Sequence, residues 1–435
     1  MSLENLDLSV VFRDDETMAV QRPQLVWDGF ERAPQLLRRL SETEPAIDPI
    51  AERLRHELPI QQTWGFGASG AYVRPDRHVR AIYLQLSKIP GAVTAGGCLA
   101  IKGSEAVSEN FQAMVERLRG LWNLCSATVG SPAKSVFMDG SMLSALERFP
   151  VIEGKPPGVH PVGDAVEEAE WAMELQAAHL GRYQTLARAP VPLFVYRWPD
   201  AVGERVLAHL VPELSPKAAR IVEAEVRAGL GTYVYYYPCL PLRILHMQVP
   251  DVVNGATYAD RMAALREITD PARAMEGWLE LTARMLSLGY VATDPSNLSR
   301  GYCLHAQNLV IDGGMVDVNS LRAMSTFRSD GELQFAVMRT IQVLAQEAVT
   351  YFLVGSDARV AGFLQWTPDV FAHVWSDMRR RLQAELDAGH ELHPMLARWC
   401  RSEGVVADLT HYFERMFALQ SYRPGERESE RYSVR

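Results

Sequence analysis

The spacing of apolar residues changes along the chain. Between residues 61 and 103, apolar residues fall among β-favouring ones, and Gly96-Gly97 stand just before the run 98–102 (CLAIK). Two later stretches, 192–197 (PLFVYR) and 232–237 (TYVYYY), are also rich in aromatic and β-branched residues. Short runs of this kind, bounded by Gly and Pro, predict antiparallel strands joined by turns.

Helical periodicity dominates the rest of the chain and becomes continuous in its second half. Helices are predicted, in chain order, over 34–58, 107–124, 165–187, 215–228, 258–267, 271–289, 331–354, 368–388 and 393–420. The first is interrupted by Pro45 and Pro49, and one β-like segment at 302–318 interrupts the helical half. Strands first and helices later predict an α+β fold.

Composition and charge narrow the classes of function. Of the 435 residues, 48% are apolar and 22% are charged, as in ordinary globular proteins. The net charge of −9 argues against a general nucleic-acid binder, which needs a basic face to neutralise phosphates. Five widely spaced cysteines without a CxxC pair argue against a disulfide framework and a zinc site. No apolar run approaches the ~18 residues of a membrane span, and the N-terminus has no leader-like apolar region, so we expect a cytoplasmic protein without a membrane partner.

The segment 301–321 contains the clearest candidate for chemistry. Residues 309–311 (LVI) read as a strand, Asp312-Gly313-Gly314 as a turn, and residues 315–318 (MVDV) as the returning strand. Such a hairpin brings Asn308 and Asp317 together. An amide oxygen and a carboxylate suit Mg²⁺ or Mn²⁺ that is already held by phosphates. A surface hairpin without a metal is the alternative interpretation.

Two upstream motifs fit phosphate binding. Gly65, Gly67 and Gly70 lie in a G-x-G-x-x-G-x-V segment, in which glycines let backbone N–H groups approach phosphates. The residues that follow look like a strand rather than a helix, which excludes a dinucleotide-binding motif. Lys102 ends a Leu-Ala-Ile-Lys run, close to the V-A-I-K strand whose Lys contacts phosphates.

A phosphate-binding Lys of this kind needs a Glu from a helix. Glu170 and Glu174, on the helix predicted at 165–187, are the preferred partners of Lys102 because that helix leads into a strand. Glu109 or Glu116 on the helix predicted at 107–124 is the alternative.

This ordered set of residues resembles the protein-kinase-like superfamily, and residues 233–241 would then form the last strand and the hinge that holds adenine. The resemblance implies a two-lobed fold that binds ATP and Mg²⁺ or Mn²⁺. A β-rich N-lobe would span 61–241 with an insertion at about 126–164, and a mainly helical C-lobe would span 242–422. Residues 1–60 would form an N-terminal extension and 423–435 a tail. Ordinary kinases place a base Asp five residues before the metal Asn, but that position here is Cys303.

Two atypical relatives fit this departure. Lys102-Gly103-Ser104, and the nine residues from Asn308 to Asp317, resemble the selenoprotein O family of AMP-transferases, although Gln307 stands where that family has Asp. The sequence from His305 to Asn308 resembles the H-x-Q-N motif of the IucA/IucC siderophore synthetases.

The resulting hypothesis is an ATP- and metal-dependent transferase that moves an adenylyl or phosphoryl group to a hydroxyl or carboxyl acceptor, either a small metabolite or a protein. Gln307 and His305 would line the site, and His305 is a candidate general base because its unperturbed pKa lies near neutrality. The alternatives are a ligase of the siderophore-synthetase type and a pseudokinase that binds nucleotide or acts as a scaffold.

Overall fold

A computed structural model describes residues 6, 22–58, 72–73, 81–104, 160–213, 216–243, 271–292, 308–353 and 358–401 of the chain. The described part is a mixed α and β structure with an antiparallel sheet. Its strands are β1 (Gln24–Asp28), β2 (Tyr72–Val73), β3 (Ala81–Gln85), β4 (Cys98–Lys102), β5 (His160–Pro161), β6 (Val191–Arg197), β7 (Leu230–Tyr237), β8 (Tyr290–Val291) and β9 (Arg322–Ala323).

The helices fall into two groups, one near the main sheet and one after it in the chain. The first group is α1 (Gly29–Arg32), α2 (Pro34–Thr43), α3 (Ile47–Leu54), α4 (Val162–Tyr183), α5 (Asp200–Leu210) and α6 (Pro216–Ala228). The second group is α7 (Pro271–Ser287), α8 (Asp330–Leu353), α9 (Ala358–Asp387) and α10 (Pro394–Arg401). Not one of these helices combines the length and the apolar character that crossing a bilayer requires.

The main sheet has the strand order β1-β6-β7-β4-β3-β2, and β5 pairs with the start of β7. Every pairing is antiparallel. At the end of β4, Lys102 lies between Ala81 of β3 and Tyr233 of β7. The strand that carries the predicted phosphate-binding lysine is therefore internal to the sheet.

The two faces of the sheet bury different cores, because successive side chains in a strand point to opposite faces. In β7, Tyr233, Tyr235 and Tyr237 lie on one face, and Val234 and Tyr236 lie on the other. The Val234 face packs against α2, α3, α5 and α6. The Tyr235 face packs against α4 and the hairpin that follows Asn308.

A third core joins the helical half to the second half of α4. It contains Leu175 of α4 together with Trp278 of α7, Trp375 of α9 and Trp399 of α10. Helix α4 thus contacts the sheet along one part of its length and the helical half along another. This position allows α4 to carry side chains to both regions.

Most predicted elements are present, with shifted ends. The helix predicted at 165–187 runs over Val162–Tyr183, and it ends where Gln184 adopts a left-handed conformation with φ of 58°. Pro49 lies in the first turn of α3, where a missing N–H costs nothing. Strand β1 and helix α5 were not predicted, and β1 adds a strand from the predicted N-terminal extension to the edge of the sheet. The helices predicted at 107–124 and 258–267 lie outside the described residues.

Candidate functional site

Lys102 forms the centre of a buried charged cluster. Its Nζ donates to Glu168 Oε2 at 2.6 Å and also to Asp317 Oδ1. The Lys102 and Glu168 side chains are 4% and 1% exposed, whereas that of Asp317 is 18% exposed. These contacts join a sheet strand, helix α4 and the hairpin at one point.

The acidic partner of Lys102 is Glu168, which corrects the prediction of Glu170 or Glu174. The predicted helix is the right one, but at ~100° per residue Glu170 points about 200° away from Glu168. Glu170 instead lies 3.4 Å from Arg32 with its side chain 52% exposed. Glu174 accepts a hydrogen bond from the Tyr290 hydroxyl at 2.8 Å.

A sequence signal for Glu168 did exist. Ala165, Ala169 and Ala172 are all buried, and they mark the inward face of α4. Glu168 lies three residues after Ala165 and four before Ala172, so it belongs to that stripe. A carboxylate within a stripe of small buried residues indicates a charge that has a partner across the interface.

The predicted hairpin after Asn308 is confirmed. Val316 N donates to Asn308 O at 2.9 Å, and Val310 N donates to Gly314 O at 2.9 Å. Gly313 has φ of 92°, a left-handed conformation that glycine adopts without strain. Asn308 is buried, with 7% of its surface exposed. The hairpin places it opposite the segment that leads to Asp317.

Arg243, which was not predicted as a site residue, is a second cation at Asp317. Its Nη1 donates to Asp317 Oδ2 at 3.0 Å, and its backbone pairs with Val310 of the hairpin. Asp317 itself has φ of 55°, which is uncommon for a residue other than glycine. Strained backbone of this kind is concentrated at functional sites. Arg243 follows β7 by a few residues and carries no motif, so local pattern gave no reason to select it.

The charges in this cluster shift one another's pKa values. Burial raises the pKa of Glu168 to about 7, and the Lys102 charge opposes that rise. Burial lowers the pKa of Arg243, but the Asp317 charge and the neighbouring Tyr83 and Tyr235 together outweigh burial, and the net shift is upward. Burial also raises the pKa of Tyr83 to about 12, although its neighbour Arg243 favours the phenolate. Tyr83 is thus part of the same electrostatic network.

Several buried polar atoms near Lys102 have no hydrogen-bond partner within the described residues. They are Glu168 Oε1, Ser104 Oγ and the hydroxyls of Tyr233 and Tyr235. Tyr233 pairs with Lys102 in the sheet, and Ser104 follows Lys102 by two residues. Buried polar groups without a partner cost free energy and are uncommon in native proteins. They therefore mark a place where a polar ligand would gain hydrogen bonds.

The residues fit a metal that is shared with phosphate better than a metal held by protein alone. In the described part of the chain, no cluster of three or more His, Cys, Asp or Glu side chains could hold an ion. Asp317 and Asn308 supply at most a carboxylate and an amide oxygen, and each carboxylate oxygen keeps a further lone pair beside its cation. Mg²⁺ commonly takes one or two protein ligands and completes its shell with phosphate and water.

Gly103, within the Lys-Gly-Ser segment, has a packing role. Its φ is 96°, and a Cβ at this position would lie 2.4 Å from the Gly231 carbonyl oxygen of β7. The close approach of β4, β5 and β7 therefore requires glycine here, whatever the residues on either side do. This part of the resemblance to AMP-transferases has a structural cause of its own.

Other predicted site residues lie outside the described residues, namely Gly65, Gly67, Gly70, His305 and Gln307. The same holds for the alternative partners Glu109 and Glu116, and for Cys303. Their parts in the site stay predictions. Comparisons with known protein families, with curated proteins and with solved structures found no match to this chain.

Proposed function

We propose that this chain is an ATP- and divalent-metal-dependent transferase with an atypical protein-kinase-like fold. The observation that carries the proposal is the buried contact of Lys102 with both Glu168 and Asp317. Protein kinases use a strand Lys, a helix Glu and a metal-binding Asp in this order along the chain. The order here is the same, because β4 precedes α4 and the hairpin comes last.

The strand connections support the same proposal. Strands β2, β3 and β4 form an antiparallel meander, and Lys102 ends the third of them. Helix α4 then leads through β6 to β7, which returns to pair with β4. A lysine on the third strand followed by a glutamate helix is the kinase arrangement. The two-lobed division at about residue 241 belongs to this proposal.

Each residue would have a distinct part in the reaction. Lys102 would hold phosphate oxygens, and Glu168 would orient Lys102. Asn308 and Asp317 would hold Mg²⁺, which supplies charge neutralisation at the phosphates. Arg243 would keep Asp317 in place. Transfer of an adenylyl or phosphoryl group to a hydroxyl or carboxyl acceptor then depends mainly on positioning and electrostatics.

A thermal-shift titration tests nucleotide binding. The wild type should gain stability with ATP and Mg²⁺ together, and more than with ATP alone, because a ligand that binds only the folded state stabilises it. Asp317→Asn should lose the metal-dependent part of the shift. Glu170→Gln is the control, since it alters an exposed carboxylate of helix α4 that does not contact Lys102 and should leave the shift unchanged.

Product analysis separates the chemistries. Release of ADP indicates phosphoryl transfer, and release of pyrophosphate with a labelled protein indicates AMP transfer. Pyrophosphate and AMP that form only with an added carboxylate and amine indicate a ligase of the siderophore-synthetase type. Full activity of Asp317→Asn would contradict the assignment of the metal site.

A pseudokinase or scaffold is the second candidate, and one observation favours it. Both carboxylate oxygens of Asp317 already contact cations, Lys102 at Oδ1 and Arg243 at Oδ2. The cluster is thus neutralised internally without a ligand. A protein that shows no shift with nucleotide and metal, and no product with any acceptor, would support this candidate over the enzyme.

A further inference from the structure

Two tyrosines flank the alanine that precedes the site lysine by two residues. In the sheet, Ala100 of β4 pairs with Tyr83 of β3 on one side and with Tyr235 of β7 on the other. Both tyrosine residues are fully buried. Directly paired residues have Cβ atoms about 4.5–5.5 Å apart, so the two aromatic side chains border the small Ala100 on the same face.

The hairpin that follows Asn308 covers this face of the sheet. Val310 and Val316 of the hairpin pack into one cluster with Tyr83, Tyr235 and Ala100. Ala100 is itself fully buried, so packed side chains occupy the space between the sheet and the hairpin at this point.

Residues 233–241, which are predicted to hold adenine, also form hydrogen bonds within the protein. Tyr237 is fully buried, and its hydroxyl donates to Asp312 Oδ1 at 3.1 Å. The Cys239 carbonyl accepts a hydrogen bond from Cys98 Sγ at 2.9 Å. The Tyr237 hydroxyl and the Cys239 carbonyl therefore form their hydrogen bonds with other groups of the protein, and they do not face a planar ligand.

The lysine end of the face is different in character. Asp317 keeps its side chain 18% exposed, and two residues that pair with Lys102, Glu168 and Tyr233, each carry a buried polar atom without a partner within the described residues. Tyr83 lies at the boundary, since its hydroxyl interacts with the Arg243 guanidinium that contacts Asp317. The apolar, filled part and the polar part of the face meet at this tyrosine.

We propose that Tyr83 is a specificity-determining residue, which together with Tyr235 fills the sheet face beside Lys102 and leaves no room there for a nucleobase. The site then takes a metal-bound di- or triphosphate group in preference to the nucleobase attached to it. This inference rests on the proposed function, because it requires a phosphate and metal site at Lys102 and Asp317. A base placed on this face of the sheet, beside Lys102, has to displace the Tyr83 ring.

Titration calorimetry of the full chain with Mg²⁺ and either tripolyphosphate or ATP tests the inference. Because ATP has to displace a packed ring, we expect wild-type protein to bind tripolyphosphate at least about tenfold more tightly than ATP. Tyr83→Ala should narrow this ratio by about tenfold, through tighter ATP binding. Leu84→Ala is the matched control: its side chain is equally buried but lies on the opposite face, so the ratio should not change.

The outcomes separate the two proposals. If neither ligand binds, the proposed function fails at its phosphate site. If wild-type protein binds ATP more tightly than tripolyphosphate, the phosphate site stands and the role of Tyr83 is overturned. Tyr83→Val introduces a β-branched residue, which favours the strand conformation, and serves if the alanine variant does not fold. An unchanged ratio in a folded Tyr83 variant also overturns the inference.

Discussion

Helix α4 carries a buried polar cluster at each end, and the two clusters differ in how completely their hydrogen bonds are formed. The Lys102 cluster, near the start of the helix, consists of Lys102, Glu168, Arg243 and Asp317. It lies beside partnerless polar atoms, among them Glu168 Oε1. Its charges are paired, yet its hydrogen bonding is incomplete within the described residues.

The Gln176 cluster, near the end of the helix, consists of Gln176, His179, Arg182, Tyr183 and Glu385. Gln176 Nε2 donates to the carbonyls of Ala187, Ala189 and Pro190, and its Oε1 accepts from Ala187 N at 2.9 Å. Glu385 Oε2 accepts from the Tyr183 hydroxyl at 2.8 Å and from the Ser287 hydroxyl at 3.1 Å. This cluster joins α4 to the helical half and completes its own hydrogen bonds.

The tautomer of His179 shows how fully this second cluster is satisfied. Its Nδ1 lies 2.7 Å from the Thr185 carbonyl, which accepts only, so Nδ1 carries the proton. Its Nε2 is then an acceptor for Arg284 Nη1 at 3.4 Å. A satisfied polar network stabilises one arrangement of the core, whereas an unsatisfied one is costly unless a ligand completes it. The comparison therefore favours an anchoring role for the Gln176 cluster and supports the proposal that the Lys102 cluster binds a ligand.

The largest expected effect is on stability, when the lysine is removed. Lys102→Met should lower the free energy of unfolding by about 3–5 kcal/mol, because it leaves two carboxylates without their shared buried cation. The double variant Lys102→Met/Glu168→Gln should recover part of that loss. Urea denaturation of both variants measures the difference. Equal loss in the two would mean that Glu168 and Lys102 are not coupled.

Removal of the anchor should cost somewhat less. Gln176→Leu should lower the free energy of unfolding by about 2 kcal/mol, because buried carbonyls and one N–H lose their partner. Gln383→Leu, whose amide bonds to Asp387 at an exposed position, should change it by less than about 0.5 kcal/mol. Tripolyphosphate binding by folded Gln176→Leu should equal that of the wild type. Weakened binding there would break the division of roles between the clusters.

The two clusters should respond to pH with opposite signs. Glu168 has its folded pKa raised to about 7 by burial, so its contribution to stability is full below its unfolded value of 4.5 and is lost as pH rises through 7. Burial lowers the pKa of His179 below its unfolded value of 6.5, so that contribution is present above pH 6.5 and is lost as pH falls.

Variants isolate these two contributions. Relative to Glu168→Gln, the wild type should lose stability between pH 4.5 and 7. Relative to His179→Asn, it should lose stability when the pH falls from 7.5 towards 5. Denaturation at a series of pH values measures both differences. The same sign for both variants would remove the electrostatic contrast between the clusters.

The smallest expected effects concern the carboxylates first predicted to pair with Lys102. Glu170→Gln removes an exposed ion pair with Arg32 and should cost at most about 1 kcal/mol. Glu174→Gln keeps a group that can accept from the Tyr290 hydroxyl and should also cost less than about 1 kcal/mol. Neither should change tripolyphosphate binding. A loss of binding in Glu170→Gln, with none in Glu168→Gln, would reverse the correction.

The sequence alone determined the parts of the molecule that local preference controls. Strand β4, helix α4 and the hairpin around Asp312-Gly313-Gly314 followed from side-chain period and turn chemistry, and they identified Lys102, Asn308 and Asp317 as candidates. Strand β1 and helix α5 escaped notice because their short apolar runs resemble the mixed segments around them. Local backbone and side-chain preferences act over a few residues, so they can be read in order along a chain.

Only the tertiary structure decided which groups meet. Lys102 and Glu168 are 66 residues apart in the chain, and Lys102 and Asp317 are 215 apart. Glu168 rather than Glu170 contacts Lys102 because of the rotation of α4 against the sheet. Arg243 lies beside Asp317 because its backbone pairs with Val310 of the hairpin. The register of β3 and β7 against β4 likewise places Tyr83 and Tyr235 beside Ala100. Such contacts arise from packing between distant segments, and no local pattern encodes their orientation.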